Sequence, residues 1–92
     1  MQVTRNEERG RYELVDDERV IGIADFELVD GATMVLPHTE IDSRRRGQGF
    51  GAILVKGVLD DARSRNLSVV PACWYVREYL DLHPEDADLL SR

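Results

Sequence analysis

Ser43-Arg44-Arg45-Arg46-Gly47-Gln48-Gly49-Phe50-Gly51-Ala52 is the stretch whose reading decides the fold. Before it, residues 32–41 read as a strand. After it, Phe50, Leu54, Val55, Val58, Leu59 and Ala62 recur three and four apart, which predicts an amphipathic helix over residues 49–65. The stretch is therefore a strand-to-helix turn. A helix N-terminus offers unpaired N–H groups and partial positive charge to an anion. Glycines allow close backbone approach, and arginines add charge-assisted contacts to phosphate. The three features together predict a pyrophosphate cradle. No Gly-Lys-Ser/Thr follows, so the turn is not a Walker A loop, and G-x-G-x-G is not the dinucleotide-binding spacing.

The charge distribution isolates the same stretch. The 92 residues carry 12 basic and 18 acidic side chains, a formal net charge of −6. Residues 43–65 reverse that sign, with Arg44, Arg45, Arg46, Lys56, Arg63 and Arg65 against Asp60 and Asp61. The overall acidity argues against nucleic-acid binding, and no aromatic residues interleave with the arginines.

Upstream, residues 1–9 are polar and read as a loose lead-in or a short edge segment. Tyr12 and Leu14 alternate with polar neighbours, Asp16-Asp17-Glu18 suits a turn, and residues 19–28 form a second strand with a bulge or close approach at Gly22. Asp30-Gly31 signals a hairpin into residues 32–41, where Pro37 interrupts the ladder. Downstream, Asn66 suits a left-handed helix end. Residues 67–71 read as a buried strand parallel to residues 32–41, because a helix crossover separates the two. Trp74–Leu82 has helical spacing, and Pro84 opens a last short helix. The sum is one α+β domain: three antiparallel strands, a helix, a strand and a helix.

The motif Arg44-Arg45-Arg46-Gly47-Gln48-Gly49-Phe50-Gly51 resembles the acetyl-CoA signature of the GCN5-related N-acetyltransferases (GNAT), Gln/Arg-x-x-Gly-x-Gly/Ala. His38-Thr39-Glu40-Ile41, Val70-Pro71-Ala72-Cys73 and His83-Pro84-Glu85 extend the resemblance to a short, stand-alone GNAT-like subgroup, over roughly residues 11–90. It implies a minimal GNAT-like fold with acetyl-CoA, or CoA, in the splay between the two parallel strands. Arg44, Arg46 and residues Gly47, Gln48, Gly49, Phe50, Gly51 and Ala52 would hold the pyrophosphate. Main-chain groups at Thr39 and Ile41 would pair with the pantetheine arm. A full-length GNAT has a helical segment between its first two strands, where this chain has only Asp16-Asp17-Glu18. The acceptor side is therefore expected to be open.

Cys73 is the single cysteine, so no internal disulfide forms. It falls where a strand hands over to a helix, a position that lowers a thiol's pKa, although a lone cysteine there equally reads as a small buried hydrophobe. The resemblance adds a role for it as the residue that takes the acetyl group. His38 is a candidate base or a sheet histidine beside Pro37, and Glu40 is a second base, read as pointing away from His38. By resemblance Tyr79 would protonate the departing CoA thiolate, and the other reading of Trp74, Tyr75 and Tyr79 is core packing. His83 reads as a structural cap, and the two histidines and one cysteine are too scattered for a metal site.

Two functions follow. One is transfer of an acetyl group from acetyl-CoA to an amine, directly or through an S-acetyl-cysteine, with a small cation or a protein amine as acceptor. The other is a non-catalytic CoA- or acyl-CoA-binding or protein-interaction module. With no signal-peptide pattern and no run near the ~20 apolar residues of a membrane span, the chain is expected to be cytoplasmic and off the membrane. It is expected to be a monomer or homodimer.

Overall fold

The computed structural model describes residues 1–90. Five strands form one sheet in the order β1-β2-β3-β4-β5: β1 (Gln2–Asn6), β2 (Arg11–Asp16), β3 (Arg19–Val29), β4 (Thr33–Ile41) and β5 (Ser68–Val70). The first four pair antiparallel, and β5 pairs parallel with β4 after the crossover helix α1 (Phe50–Ser64). A second helix, α2 (Trp74–Leu82), follows β5, and a 3-10 segment, Pro84–Leu89, ends the described chain. Among the described residues no helix is long and apolar enough to cross a membrane.

The architecture is the α+β crossover read from the sequence, with one strand more. Residues 2–6 are not a loose lead-in: they pair with Arg11–Val15 as an edge strand, and Val3 faces inward with Leu14. Gly57 explains why α1 tolerates a glycine that costs about 1 kcal/mol relative to alanine. A β-carbon there would stand 2.5 Å from Val3 Cγ2, so the helix lies flush on β1.

Period-two alternation places Tyr12, Leu14, Ile21, Met34, Leu36 and Val69 on one sheet face, in a single core with Leu54, Val55, Val58 and Leu59 of α1 and Val76, Tyr79 and Leu80 of α2. A polar clamp ties the far end of α1 to this core. The Tyr12 hydroxyl donates to Asp61 Oδ2 (2.6 Å), Arg5 Nη1 donates to the Tyr12 oxygen (2.8 Å), and Arg65 Nε reaches Asp61 (2.9 Å). The Arg5 guanidinium also lies 4.4 Å over the Phe26 ring. Burial and the neighbouring Asp61 push the Tyr12 phenol up to about 12.

Both expected irregularities occur. Leu14 faces Gly22 while Val15 faces Val20, which leaves Ile21 as an extra residue. Asp25 faces His38 while Glu27 faces Val35, so Leu36 and Pro37 together oppose Phe26. Pro37 therefore bulges the strand instead of ending it. Asn66, at φ 57°, closes α1 with Leu67 N–H donating to the Ala62 carbonyl (2.9 Å) and Asn66 N–H to that of Arg63 (3.1 Å), the paired bonds of a left-handed helix end.

Candidate active site

The site exists because β4 and β5 part company. They pair only over Thr33–Val35 and Ser68–Val70; β4 then runs on to Ile41 while β5 stops. One main-chain bond, Cys73 N–H to the Leu36 carbonyl (2.9 Å), pins the chain where the two strands diverge. The opening leads into a cavity of about 610 Å³ walled by His38, Thr39, Glu40 and Ile41 of β4, by Gly49, Phe50, Gly51 and Leu54 of α1, and by Trp74 and Tyr75 of α2. Arg45, Arg46 and Gly47 complete the wall at the turn.

The start of α1 is built as an anion seat. Gly47 and Gly49 have φ of 78° and 81°, a left-handed conformation that side-chain-bearing residues seldom adopt. Gly49 is the N-cap, and no side chain caps the helix. The first helical bond runs from Ile53 N–H to the Gly49 carbonyl (3.4 Å), so the N–H groups of the first turn remain available for a ligand.

The basic island is mostly neutralised by carboxylates, some within it and some from other parts of the chain. Arg44 pairs with Asp42, Arg45 with Asp16, Lys56 with Asp60, Arg63 with Asp86 and Asp88, and Arg65 with Asp61. Among the described residues, Arg46 is the island's one basic side chain without a carboxylate partner. Its Nε meets the Ile41 carbonyl at 3.4 Å, and it lies in the cavity wall. Phosphate charge, free first-turn N–H groups and an unpaired guanidinium are complementary, so these residues fit the pyrophosphate of a coenzyme A ligand.

The cavity wall takes in only part of the motif. Arg44 turns back onto Asp42 with its side chain 79% exposed, and Arg44, Gln48 and Ala52 lie outside the cavity wall. Ala52 stays in the first turn of the helix, through its main chain alone. Thr39, Ile41, Arg46, Gly47, Gly49, Phe50 and Gly51 do line the cavity.

Cys73 is the N-cap of α2 and is 8% exposed. Its Sγ lies 3.6 Å from Thr39 Oγ1, beside the cavity and not in its wall. Burial acts to raise its pKa, but the Thr39 hydroxyl and the main-chain N–H groups at the start of α2 outweigh burial and bring the thiol below its ordinary value. The thiol is thus largely buried and its pKa is lowered.

His38 is exposed and in the wall, and Glu40 is there with it. The expectation that these two point apart is wrong: positions two apart on a strand share a face. Tyr79 is the proton donor that the resemblance implies. It is 6% exposed, stacked on His83 with ring centroids 3.8 Å apart, and outside the cavity wall. His83 Nδ1 meets the Tyr79 carbonyl at 2.8 Å, the structural capping role read for it. One turn earlier, Tyr75 takes the place in the cavity, its ring against Gly51. Burial first, then the charge of Glu78, raise its pKa, so the phenol stays protonated at neutral pH.

Trp74 is not core. It is 65% exposed in the cavity wall, meeting Tyr75 edge-on with centroids 5.7 Å apart. Helical spacing carries the signal for this: Trp74 shares a face with Arg77, Glu78 and Asp81, away from the buried Val76, Tyr79 and Leu80. Leu54 was read as core and is buried, yet it also floors the cavity. Among the described residues no group of His, Cys, Asp and Glu could hold a metal ion.

Comparison with known proteins converges on one family. A family model described as GCN5-related N-acetyl-transferase matches residues 11–89. Protein NATD1 of Xenopus tropicalis is 32% identical over 59 residues, which cover 64% of this chain and 54% of that protein. The chain therefore spans about half the length of that relative. The NMR solution structure of a GCN5-like protein from Staphylococcus aureus has the same fold, with a TM-score of 0.74 at 22% identity, over 98% of this chain and 87% of that one.

Proposed function

From the premise that the chain belongs to the GCN5-related N-acetyltransferase family, we propose that it transfers the acetyl group of acetyl-CoA to an amine, with Cys73 as an intermediate acetyl carrier. The observation that carries the substrate assignment is the uncapped start of α1, with left-handed Gly49 and unpaired Arg46, opening into the cavity between β4 and β5. Gly47, Gly49, Phe50, Gly51 and Arg46 hold the pyrophosphate. The β4 main chain at Thr39 and Ile41, freed from β5 by the splay, pairs with the pantetheine arm.

The two-step route rests on the thiol's environment. The Cys73 thiolate, favoured by Thr39 and the start of α2, attacks the thioester carbonyl. A C–S bond forms to Cys73 as the bond to CoA breaks, and Tyr75, not Tyr79, supplies the proton to the departing thiolate. The amine then attacks the acetylated cysteine; Cys73 leaves as thiolate, and the amine's proton passes to His38 and from there, through solvent, restores the Tyr75 phenol.

Calorimetric titration of CoA and acetyl-CoA into the protein and into Gly49→Asp tests the first half. A side chain and a negative charge at a left-handed cradle position abolish binding if the pyrophosphate sits there. Equal affinity in both proteins overturns the assignment. The second half is tested by Cys73→Ala, which keeps CoA binding and loses amine acetylation. Full turnover by that variant leaves direct transfer as the route.

A further inference from the structure

Strand register places a carboxylate directly across from His38. Asn6 faces Arg11, Arg11 faces Asp25 and Asp25 faces His38, one row of positions from β1 to β4. The adjacent row, Arg5, Tyr12, Ala24 and Thr39, points to the other face of the sheet. There Tyr12 and Ala24 are buried in the core and Thr39 meets Cys73. His38 and the Thr39–Cys73 contact thus lie on opposite faces of β4. The opening beside β4 joins the two faces, since its wall holds both His38 and Thr39.

Directly opposed residues on antiparallel strands have β-carbons about 4.5–5.5 Å apart, close enough for a carboxylate to meet an imidazole. Glu40, the other acid on this stretch of the face, is two residues along β4, about 7 Å away. Arg11, on the far side of Asp25, donates to Glu13 of its own strand at 2.9 Å, and Asn6 donates to the same carboxylate at 3.4 Å. Asp25 is half-buried and His38 exposed, and among the described residues neither side chain has a hydrogen-bond or ion-pair partner. A carboxylate without a cation thus stands across from an imidazole that becomes one on taking a proton.

We propose that Asp25 is a positioning residue for transfer to the amine, holding His38 as the imidazolium that forms when the ring takes the amine's proton. This role rests on the acetyl-transfer reading and deepens it. One ring nitrogen accepts the proton as the amine nitrogen bonds to the acetyl carbon and Cys73 leaves. The other nitrogen, already carrying its hydrogen, donates to the Asp25 carboxylate, and the accepted proton then passes to solvent. A neutral imidazole gains little from the carboxylate and a cation gains more, so the contact favours the transition state over the resting site. Acetylation of Cys73, the first step, puts no charge on His38 and does not depend on Asp25.

The two half-reactions are separated by the intact mass of the protein. Wild type, Asp25→Asn and Asp25→Glu are first acetylated with acetyl-CoA, then freed of it and given n-butylamine. The expected result is acetylation of Cys73 at rates within about twofold of one another, with loss of the acetyl group to the amine slowed about fivefold in Asp25→Asn and partly recovered in Asp25→Glu. In a His38→Ala background the Asp25→Asn change has no further effect. Equal rates of acetyl loss in wild type and Asp25→Asn, or equal slowing of both half-reactions, overturn the proposal. The pair is also read without turnover. At about pH 5, between the ordinary aspartate and histidine values, NMR is expected to show a His38 ring N–H protected from exchange in wild type and lost in Asp25→Ala. The same spectrum from both proteins overturns the pairing. If acetyl-CoA leaves Cys73 unmodified, the two-step transfer falls, and the ring N–H signal decides the Asp25–His38 contact by itself.

Discussion

The Tyr75 phenol lies flush against the backbone of Gly51. A β-carbon placed on Gly51 would stand 2.5 Å from the Tyr75 hydroxyl oxygen and 2.9 Å from Cζ. The first turn of α1 and the start of α2 are thus fitted to each other across the cavity, and the glycine permits the fit. Gly51→Ala gains up to about 1 kcal/mol of helix propensity but displaces the ring. The expected outcome is an unfolding temperature little changed and kcat/KM lowered about tenfold. In a Tyr75→Ala background the same glycine substitution has no further effect. A double-mutant cycle on kcat/KM measures the coupling, and additive losses would show that the contact is irrelevant to transfer.

Arg46 and Arg44 are neighbours in one motif with opposite fates. Arg46 is in the cavity without a carboxylate partner among the described residues, whereas Arg44 is folded onto Asp42. Arg46→Ala is expected to weaken CoA binding about tenfold, with a reduced dependence on salt, and Arg44→Ala by less than about twofold. Calorimetry at two ionic strengths distinguishes them.

Thr39 Oγ1, 3.6 Å from Cys73 Sγ, helps to hold the thiol below its ordinary pKa. Thr39→Val removes that hydroxyl and keeps the shape. The midpoint of the pH dependence of Cys73 alkylation is expected to move upward, so that the thiolate fraction at neutral pH falls. An unmoved midpoint assigns the activation to the helix N–H groups alone.

Asp61 accepts from Tyr12 and Arg65 at the far end of α1. Burial opposes its ionisation, but these partners and Arg5 outweigh burial and hold its carboxyl below the ordinary value. A carboxyl depressed in the folded state contributes stability above its unfolded pKa of about 3.9 and loses it as pH falls through the lower folded value. Asp61→Asn is expected to cost about 1–3 kcal/mol in urea unfolding at pH 7. The gap between wild type and variant then narrows as the pH is lowered below about 4.

Most of the fold was legible because its signals are local. Apolar periodicity placed α1 and α2, Asp30-Gly31 the hairpin, Pro37 the bulge and Asn66 the helix end, each within a few residues of the sequence that causes it. β1 was ambiguous because Val3 is the single strong apolar position in an otherwise polar strand, and its partners, Leu14 and Gly57, lie far along the chain. The turn before α1 was legible for the same local reason: left-handed glycines before an amphipathic helix set their own geometry.

The sequence by itself determined the order of elements, the crossover, the glycine turn and the place of Cys73 between strand and helix. Only the tertiary structure decided which side chains share the cavity. Arg44 is drawn onto Asp42, two residues before it, while Arg46 stands in the cavity wall without a carboxylate partner among the described residues. Packing of α2 against α1 buried Tyr79 and turned Trp74 and Tyr75 toward the opening. The meeting of β4, the glycine turn and α2 around one cavity depends on distances between residues remote in the chain, which the periodicity of a single helix does not encode.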